Sequence, residues 1–382
     1  MNNSDGLNGQ WVGTYSSSTT TGTIVVNIDE QELNYVGEAY LIDDNRAAPA
    51  LVAFFTTPNK ESKFQFRADL ISWFDGSAAG GFGGFVGQDA IAPKYPQGTA
   101  FSKYADVEGT HDNDTLTLSW STDIGTTGKC VLPRSVATKP SELQARDLNW
   151  AGYKESVSAL TPKRHLFRGQ NAPFRLRTSF HRSGRAHLHR FLTQDIPALH
   201  RHLSSRTKHF FNLQIPDENG AFFNLIQHHG YPTPLLDWTY SPYVAAFFAY
   251  RRISNQKAAK ADPKDKVRVL VFDQAHWRRD WNQLAVLIRP GLHVSIGEFI
   301  AVENERMIPQ QAASTITNAD DIESYIKSKE TDEKKYLWAI DLPVSDRKRV
   351  LSELSYMGIT AGSMFPGLDG ACEELKERNF EI

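Results

Sequence analysis

One stretch gathers most of the residues of this chain that could bind a ligand or act on it. It runs from Gln227 to Tyr250 and joins hydrogen-bonding side chains, a proline-rich turn and an apolar segment in one unit. His228 and His229 stand near its start, and Asp237 follows the prolines. A hydrophobic core does not require this combination, so we interpret the stretch as part of a site.

A helix is predicted to follow the prolines of this stretch. Ser241 is a preferred N-cap residue, Pro242 suits the first helical position, and alanines and aromatic residues continue to Tyr250. Unpaired amide donors and the positive end of the helix dipole make such a helix start a natural place for a phosphate or another anion. The alternative is a buried turn with a capped helix, which needs no ligand.

The histidines of the chain do not predict a metal site. They lack a compact ligand spacing, and no cysteine or glutamate accompanies them at zinc spacing. We therefore predict no metal and interpret His228 and His229 as residues that hydrogen-bond within a site.

The composition describes a globular protein of two or three domains. The 382 residues carry a net charge of −2, which gives no overall attraction to nucleic acid or membranes. Two distant cysteines, Cys130 and Cys372, form neither a disulfide framework nor a zinc motif, which favours a reducing compartment. The sequence shows neither a secretory signal nor an apolar run of about 20 residues. We expect a cytoplasmic protein without a membrane span.

The first part of the chain is predicted to be β-structure. Short β-prone runs are separated by glycine, serine and threonine from Gly9 to about Pro133, which predicts an antiparallel barrel or sandwich without a long helix. We expect an all-β domain over residues 1–140 that senses a signal or binds a protein partner, since it contains no catalytic constellation. The predicted strands are 10–15, 22–28, 35–41, 51–56, 64–70, 115–120 and 129–132.

The glycine-rich segment from Gly80 to Gly87 does not have the sequence of a nucleotide loop. It lacks the lysine and the serine or threonine that follow the glycines of a phosphate-binding loop, and it does not lie between a strand and a helix. A glycine-rich hairpin or bulge is the better interpretation.

The second part, residues 141–382, mixes helices with strands. Strands are predicted at 267–272, at 336–342 and once or twice within 292–302, and helices at about 346–356 and after residue 370 to about 378. Strands and helices alternate only in part, which favours a mixed α+β sheet over a doubly wound parallel one.

A strongly basic segment lies near the start of this second part. Between Lys163 and His209 there are eleven lysines and arginines against one acidic residue, Asp195, with seven histidines among them. Such a cluster could bind nucleic acid or attract a polyanionic small molecule such as a dinucleotide. The alternative is a solvated helical face.

Three sequence pieces follow one another in a fixed order: Phe167 to Gln170, Gln227 to Ala249, and Phe365 to Gly370. They carry Phe-Arg-Gly, Gln-His-His-Gly-Tyr-Pro-Thr-Pro-Leu-Leu-Asp-Trp-Thr-Tyr-Ser-Pro and Phe-Pro-Gly-Leu-Asp-Gly. Together they resemble the FRG domain, a family named for its Phe/Tyr-Arg-Gly tripeptide, over roughly residues 150 to 380. One departure is Pro234, which stands where the family usually has an arginine. We expect its ligand to be held more weakly or by another basic residue.

The FRG family in turn is remotely similar to the ADP-ribosyltransferases. That resemblance implies a split mixed sheet that holds NAD as a substrate, with an arginine on an early strand, a Ser/Thr motif on the next strand and a Glu or Gln motif late in the domain. Arg168 matches the first, and Thr239 with Ser241 matches the second. Glu305 and Gln311 compete for the third.

The chemistry of NAD explains these residue types. Breaking the bond between nicotinamide and ribose passes through a cation similar to an oxocarbenium ion, so an enzyme needs a carboxylate or dipole near the sugar and a clamp on the pyrophosphate. The fork of Arg168 suits a phosphate or ribose oxygen, and the alternative is a buried arginine that pairs with Asp237. The residues predicted to contact NAD are Arg168, Gln170, His228, His229, Asp237, Thr239 and Ser241.

The sequence leaves three functional hypotheses open. The first is an NAD-dependent ADP-ribosyltransferase, a toxin or defence effector whose β domain recognises a target or trigger, with a protein or nucleic acid as acceptor. The second is an NAD glycohydrolase, or a module that binds a nucleotide without catalysis. The third uses the basic segment 163–209 as a nucleic-acid surface.

Overall fold

An antiparallel sheet of ten strands forms the first part of the described chain. The structure is a computed structural model that describes residues 6–45, 49–68, 70–75 and 84–380. The strands in chain order are β1 Gly9–Ser17, β2 Thr21–Glu30, β3 Tyr35–Asp43, β4 Leu51–Thr56, β5 Lys63–Ala68, β6 Leu70–Phe74, β7 Phe85–Val86, β8 Ala105–His111, β9 Thr115–Thr122 and β10 Thr127–Pro133.

This sheet is curled into half a barrel, with the strand order β5-β8-β9-β10-β1-β2-β3-β4-β6-β7. Apolar side chains that alternate along the strands, such as Trp11, Leu116 and Leu132, form a core on one face of the sheet. The prediction of a β-rich first part is confirmed, as one curled sheet. The first half of the predicted glycine-rich hairpin, residues 80–83, lies outside the described residues, and β7 in its second half pairs with β6.

A mixed sheet forms the second part of the chain, as predicted. Its order is β11-β17-β14-β12-β13-β16-β15, and only β11 and β17 run parallel among the described pairs. The strands are β11 Ala145–Asp147, β12 Leu166–Gln170, β13 Leu235–Thr239, β14 Lys266–Phe272, β15 Val294–Gly297, β16 Ala312–Thr317 and β17 Leu337–Pro343.

Helices cover both faces of the mixed sheet. Among the described residues, no helix is long and apolar enough to cross a membrane. A π-turn, Phe191–Asp195, connects α4 to α5. The helices are α1 Gln88–Ile91, α2 Trp150–Ser158, α3 Ser179–Arg182, α4 Leu188–Arg190, α5 Ile196–Leu203, α6 Pro216–His228, α7 Pro242–Tyr250, α8 Asn255–Ala259, α9 Gln274–Asp280, α10 Ile322–Lys327, α11 Arg347–Tyr356, α12 Ala361–Met364 and α13 Leu368–Phe380.

Most sequence-predicted elements of the second part are present. Strands β14 and β17 and helices α7, α11 and α13 lie where the sequence predicts them. Residues 292–302 contain one strand, β15, because the chain turns away after Gly297. The residue patterns did not predict strands β12, β13 and β16, and only the ADP-ribosyltransferase resemblance implied strands at Arg168 and Thr239, which lie on β12 and β13.

The two sheets share a hydrophobic cluster. Val25 and Tyr40 of the curled sheet are buried against Phe180 and Phe191, which lie between β12 and β13 in the chain. The buried carboxylate of Asp29 also accepts hydrogen bonds from main-chain N–H groups of that segment. The curled sheet therefore packs on the segment that follows Arg168, while the domain division at residue 140 stays a prediction.

Candidate functional site

The packing of α7 on β12 explains the glycine of the Phe-Arg-Gly tripeptide. A Cβ on Gly169 would lie 1.8 Å from the carbonyl oxygen of Ala245 and 2.6 Å from the nitrogen of Ala249. Only a residue without a side chain allows this approach. Phe167 on the same face of the strand is buried under α7. The fold thus requires two residues of the tripeptide, and Arg168 points to the other face.

Arg168 has few partners in the chain. Its Nη1 donates a hydrogen bond of 2.6 Å to the main-chain carbonyl of Asp237. Its Nε is buried and has no hydrogen-bond partner among the described residues. The structure therefore attaches Arg168 to the main chain of Asp237 and not to its carboxylate, which was the pairing that the sequence had suggested.

The electrostatic surroundings of Arg168 are unfavourable to its charge. Burial lowers the pKa of its guanidinium to about 10, the Asp237 carboxylate opposes this shift, and the nearby cation of Arg182 adds to it. A half-buried cation with so little compensation attracts an anion.

The sheet opens beside Arg168. Strand β12 shares five residue pairs with β14 but only one, Phe167 with Thr239, with β13. Beyond that pair the guanidinium of Arg168 reaches the carbonyl of Asp237 in place of a strand-to-strand bond. The side-chain oxygen of Gln170, farther along β12, is buried without a partner in the described chain. Arg168 and Gln170 therefore bring unsatisfied polar atoms to one opening in the sheet.

Asp237 lies on β13 at the edge of this opening with an exposed side chain. Its carboxylate accepts a hydrogen bond from the side-chain amide of Gln227, whose carbonyl oxygen accepts one from the Thr233 hydroxyl. Gln227, the first residue of the stretch that ends at Tyr250, thus holds the Asp237 carboxylate in place. Pro234, which lies between Gln227 and Asp237 in sequence, is buried, and its carbonyl accepts a hydrogen bond from the main-chain N–H of Thr317.

Thr239 and Ser241 use their hydroxyls within the chain. Thr239 donates to the carbonyl of Gln310 at 2.7 Å and accepts from the N–H of Ser241 at 3.0 Å. Ser241 accepts from the N–H of Val244 at 3.3 Å, which confirms the predicted N-cap. These contacts hold the turn between β13 and α7, and both residues are buried.

The two predicted histidines have different environments. The Nδ1 atom of His228 lies 2.7 Å from the carbonyl of Asn224 and 2.8 Å from the side-chain nitrogen of Asn304, so its tautomer decides which one it serves. His229 is exposed at the end of α6, where Gly230 adopts a φ of +87°. His228 therefore helps to attach the loop that contains Asn304.

The loop from Glu303 to Gln311 carries both candidates for the third element, Glu305 and Gln311. Both side chains are exposed, and neither has a hydrogen bond or ion pair among the described residues. The carbonyl of Gln311 accepts a bond of 3.0 Å from the N–H of Tyr240, which places this loop at the end of β13. Arg168 is therefore about two strand spacings, roughly 10 Å, from the chain at Gln311.

The third sequence piece contacts this loop. The side-chain amide of Gln310 donates to the carbonyl of Met364 at 2.8 Å. Arg306 donates to the carbonyl of His228 at 3.1 Å, and its guanidinium lies 5.4 Å from the ring centre of Phe365. The second and third sequence pieces thus meet around this loop, while Arg168 of the first piece lies roughly 10 Å from it. Gln310 and Arg306 were not predicted as residues that connect these pieces, because their contacts join segments that are far apart in sequence.

Trp238 and Phe247 belong to the core. Trp238 is buried and its indole donates to the Thr315 hydroxyl at 3.1 Å. Phe247 is buried in the cluster under α7, and Phe248 packs against its edge.

Acidic residues from elsewhere neutralise much of the basic segment 163–209. All of these partners except Asp195 lie outside the segment in sequence, so the segment presents less positive charge to solvent than its composition implies. The pairs are Arg164 with Asp273, Arg175 with Asp321, Arg177 with Asp320, and Arg185 with Asp29 and Asp195.

Two cavities lie on the two sheets, and the predicted site residues line neither of them. One of about 570 Å³ lies on β1, β8, β9 and β10, next to Trp120. The other, of about 210 Å³, lies between the start of α6 and β15. In the described part of the chain, no group of three or more His, Cys, Asp or Glu residues could hold a metal ion.

Comparison with known proteins identifies one family. Residues 163–258 match the family model of the FRG domain, so the chain contains an FRG domain. The match includes Arg168 and the stretch from Gln227, and ends before Phe365. A search of curated proteins found no match. Among solved structures, a redesigned β-barrel is similar, with 14% identity and a TM-score of 0.22 over 34% of this chain and 91% of that one.

Proposed function

We propose that the chain is an NAD-dependent ADP-ribosyltransferase that binds NAD where β12 and β13 separate. The observation that carries this proposal is Arg168, a half-buried cation in the FRG tripeptide that has one main-chain carbonyl as its partner. A pyrophosphate would supply the negative charge and the acceptors that the chain itself leaves out.

The arrangement of the strands supports an ADP-ribosyltransferase-like split sheet. Only one residue pair joins β12 to β13, and beside it the buried side-chain oxygen of Gln170 and the buried Nε of Arg168 have no hydrogen-bond partner among the described residues. Buried polar groups without partners are costly, so a ligand that pairs with them is favoured. NAD offers a carboxamide, ribose hydroxyls and phosphates to such groups.

The reaction would break the bond between C1′ of the ribose and the nicotinamide nitrogen. Nicotinamide leaves with the bonding electron pair, the acceptor nucleophile forms a new bond to C1′, and the acceptor loses a proton. A carboxylate near the sugar would stabilise the cationic transition state. Glu305 is the candidate for this role and Gln311 is its competitor, since both lie on the loop that meets the end of β13.

The curled β-sheet would recognise the target or the trigger of a toxin or defence effector, and the acceptor would be a protein or nucleic acid. Its contact with the segment after Arg168 supports a link between recognition and the site. Both cysteines are free thiols, Cys130 buried and Cys372 exposed, which fits action in the reducing cytoplasm.

The test is incubation of the purified chain with NAD, followed by measurement of released nicotinamide and of protein mass. The variants are Arg168→Ala and, as a matched control, Arg349→Ala, an exposed arginine of α11. We expect ADP-ribose on protein, with a rate at least tenfold lower in Arg168→Ala and unchanged in the control. An unchanged rate in a folded Arg168→Ala would refute the proposal.

A second candidate is a module that binds NAD or a related nucleotide without catalysis. It is favoured by the use of the Thr239 and Ser241 hydroxyls within the chain and by the exposure of Glu305. Binding of NAD in calorimetry without release of nicotinamide would select it. Release of nicotinamide with free ADP-ribose would select an NAD glycohydrolase.

A further inference from the structure

A second group of cations lies outside the candidate site, beside α9 and α10. It is built from the segment between α9 and β15 and from the residues that follow α10, and it consists of Trp281, Arg289 and Lys329. The ring of Trp281 packs on Trp277 in the hydrophobic cluster that also contains Phe272 of β14. Neither the FRG match nor the proposed NAD site includes it.

Two buried donors of this group have no acceptor. The Nε atom of Arg289 and the indole nitrogen of Trp281 are both buried, and neither has a hydrogen-bond partner among the described residues. Buried donors are nearly always paired with protein, water or an ion, so two such atoms indicate a missing acceptor.

The positive charges here come close together around one tyrosine. The ammonium of Lys329 lies 5.0 Å from the ring centre of Trp281 and 5.3 Å from that of Tyr325. Arg289 is close enough to Tyr325 for the charge of each to affect the pKa of the other. Lys329 and Arg289 are thus two cations near the same tyrosine, Tyr325.

No carboxylate next to this group is free to neutralise it in the described chain. Asp280, beside Trp281, accepts from the Tyr336 hydroxyl and pairs with Arg279 and Lys334. Glu330, beside Lys329, accepts from the main-chain N–H groups of Tyr336 and Leu337.

A buried histidine, His293, lies close to Arg289. Burial and the cation of Arg289 lower the pKa of His293 to about 3, although the carbonyl of Val286 opposes this shift. His293 is therefore neutral at pH 7. Its Nδ1 lies 3.0 Å from the Ser295 hydroxyl.

We propose that Arg289, Lys329 and the indole N–H of Trp281 form a binding site for a phosphate group. A phosphate offers several acceptors to the two unpaired donors and supplies the negative charge that Arg289 and Lys329 lack. A guanidinium suits phosphate geometry, and Lys329 contributes as a point charge. The phosphate is either a free ion or part of a nucleotide, and the aromatic rings suit the second source.

The test is calorimetry of the full chain with inorganic phosphate and, separately, with ADP. It is done in the Arg168→Ala background, so that the proposed NAD site does not contribute to the measured binding. A failure of the phosphate site can then be distinguished from a failure of the NAD site. We expect Arg289→Gln and Lys329→Gln each to weaken binding by about tenfold or more. Lys327→Gln, which changes an exposed lysine at the end of α10, should bind phosphate and ADP as its parent does.

Trp281→Phe keeps an aromatic ring and removes the indole N–H, so it tests the site where a charge variant fails to fold. We expect it to weaken phosphate binding while the thermal midpoint of the free protein stays close to that of its parent. Tighter binding of ADP than of phosphate would identify a nucleotide site, and equal binding a phosphate site. Equal affinity in all variants, or no binding of either probe to the parent, would overturn the proposal.

Discussion

Two arginines on neighbouring strands of the mixed sheet have opposite surroundings. Arg268 on β14 lies opposite Gln170, and Arg168 on β12 lies opposite Leu270, so both side chains point to the same face. Arg268 is buried and forms two hydrogen bonds of 2.8 Å to the Asp341 carboxylate. In the described chain, Arg168 has one hydrogen-bond partner, the main-chain carbonyl of Asp237. The first arginine completes the fold, and the second is available for a ligand.

The largest effect that this comparison predicts is on Arg268. Arg268→Ala should lower the free energy of unfolding by about 3–5 kcal/mol, because it leaves the buried carboxylate of Asp341 without its partner. Arg168→Ala should lower it by about 1 kcal/mol or less, because only one hydrogen bond to a carbonyl is lost. Urea unfolding of both variants measures the difference. Equal losses would mean that Arg168 is also structural.

Gly169→Ala should have the next largest effect. The added methyl group would collide with the backbone of α7 at Ala245, and neither backbone can move freely. We expect a loss of about 1–3 kcal/mol in the free energy of unfolding, by the usual cost of overpacking. Gly291→Ala is the matched control, since a Cβ there has no neighbour within 4 Å. A native stability of Gly169→Ala would contradict the packing role given to the tripeptide.

The same comparison shows what the sequence could and could not predict. The apolar run Val267–Phe272 specifies a strand locally, so β14 was predicted. The run Ala-Ala-Ser-Thr-Ile-Thr of β16 has no such pattern and becomes a strand by pairing with β13 and β15. Local propensity therefore predicts central apolar strands better than strands defined by their neighbours.

The candidate site was predictable only where a motif marked it. Arg168 was identified from the tripeptide, but whether it pairs with an acid depends on residues far away in sequence. Arg268 finds Asp341 across 73 residues, and no local pattern distinguishes these two arginines. Nor could sequence show that the Thr239 hydroxyl bonds to the carbonyl of Gln310.

Arg168 should matter more than Arg268 for the affinity of a ligand, which is the reverse of their order in the free energy of unfolding. Arg168→Ala should weaken binding of ADP-ribose by about tenfold, or about 1.4 kcal/mol, because a charge-assisted contact to phosphate is lost. Arg168→Lys should recover part of the affinity, since the charge returns without the fork. Calorimetry checks both values. Arg349→Ala, which changes an exposed arginine of α11, is the control and should bind as the unchanged protein does. Unchanged affinity in Arg168→Ala would place the nucleotide elsewhere.

The smallest effect concerns the carboxylate nearest to Arg168. Asp237 raises the pKa of Arg168 by its charge while its side chain accepts a bond from Gln227. Asp237→Asn keeps an acceptor for Gln227 and removes the competing charge, so ADP-ribose should bind about two- to threefold more tightly, or about 0.5 kcal/mol. Asp369→Asn, an exposed acid of α13, is the control. Weaker binding of Asp237→Asn would instead mean that the carboxylate itself contacts the ligand, as the sequence predicts, and that Arg168 and Asp237 act on it together.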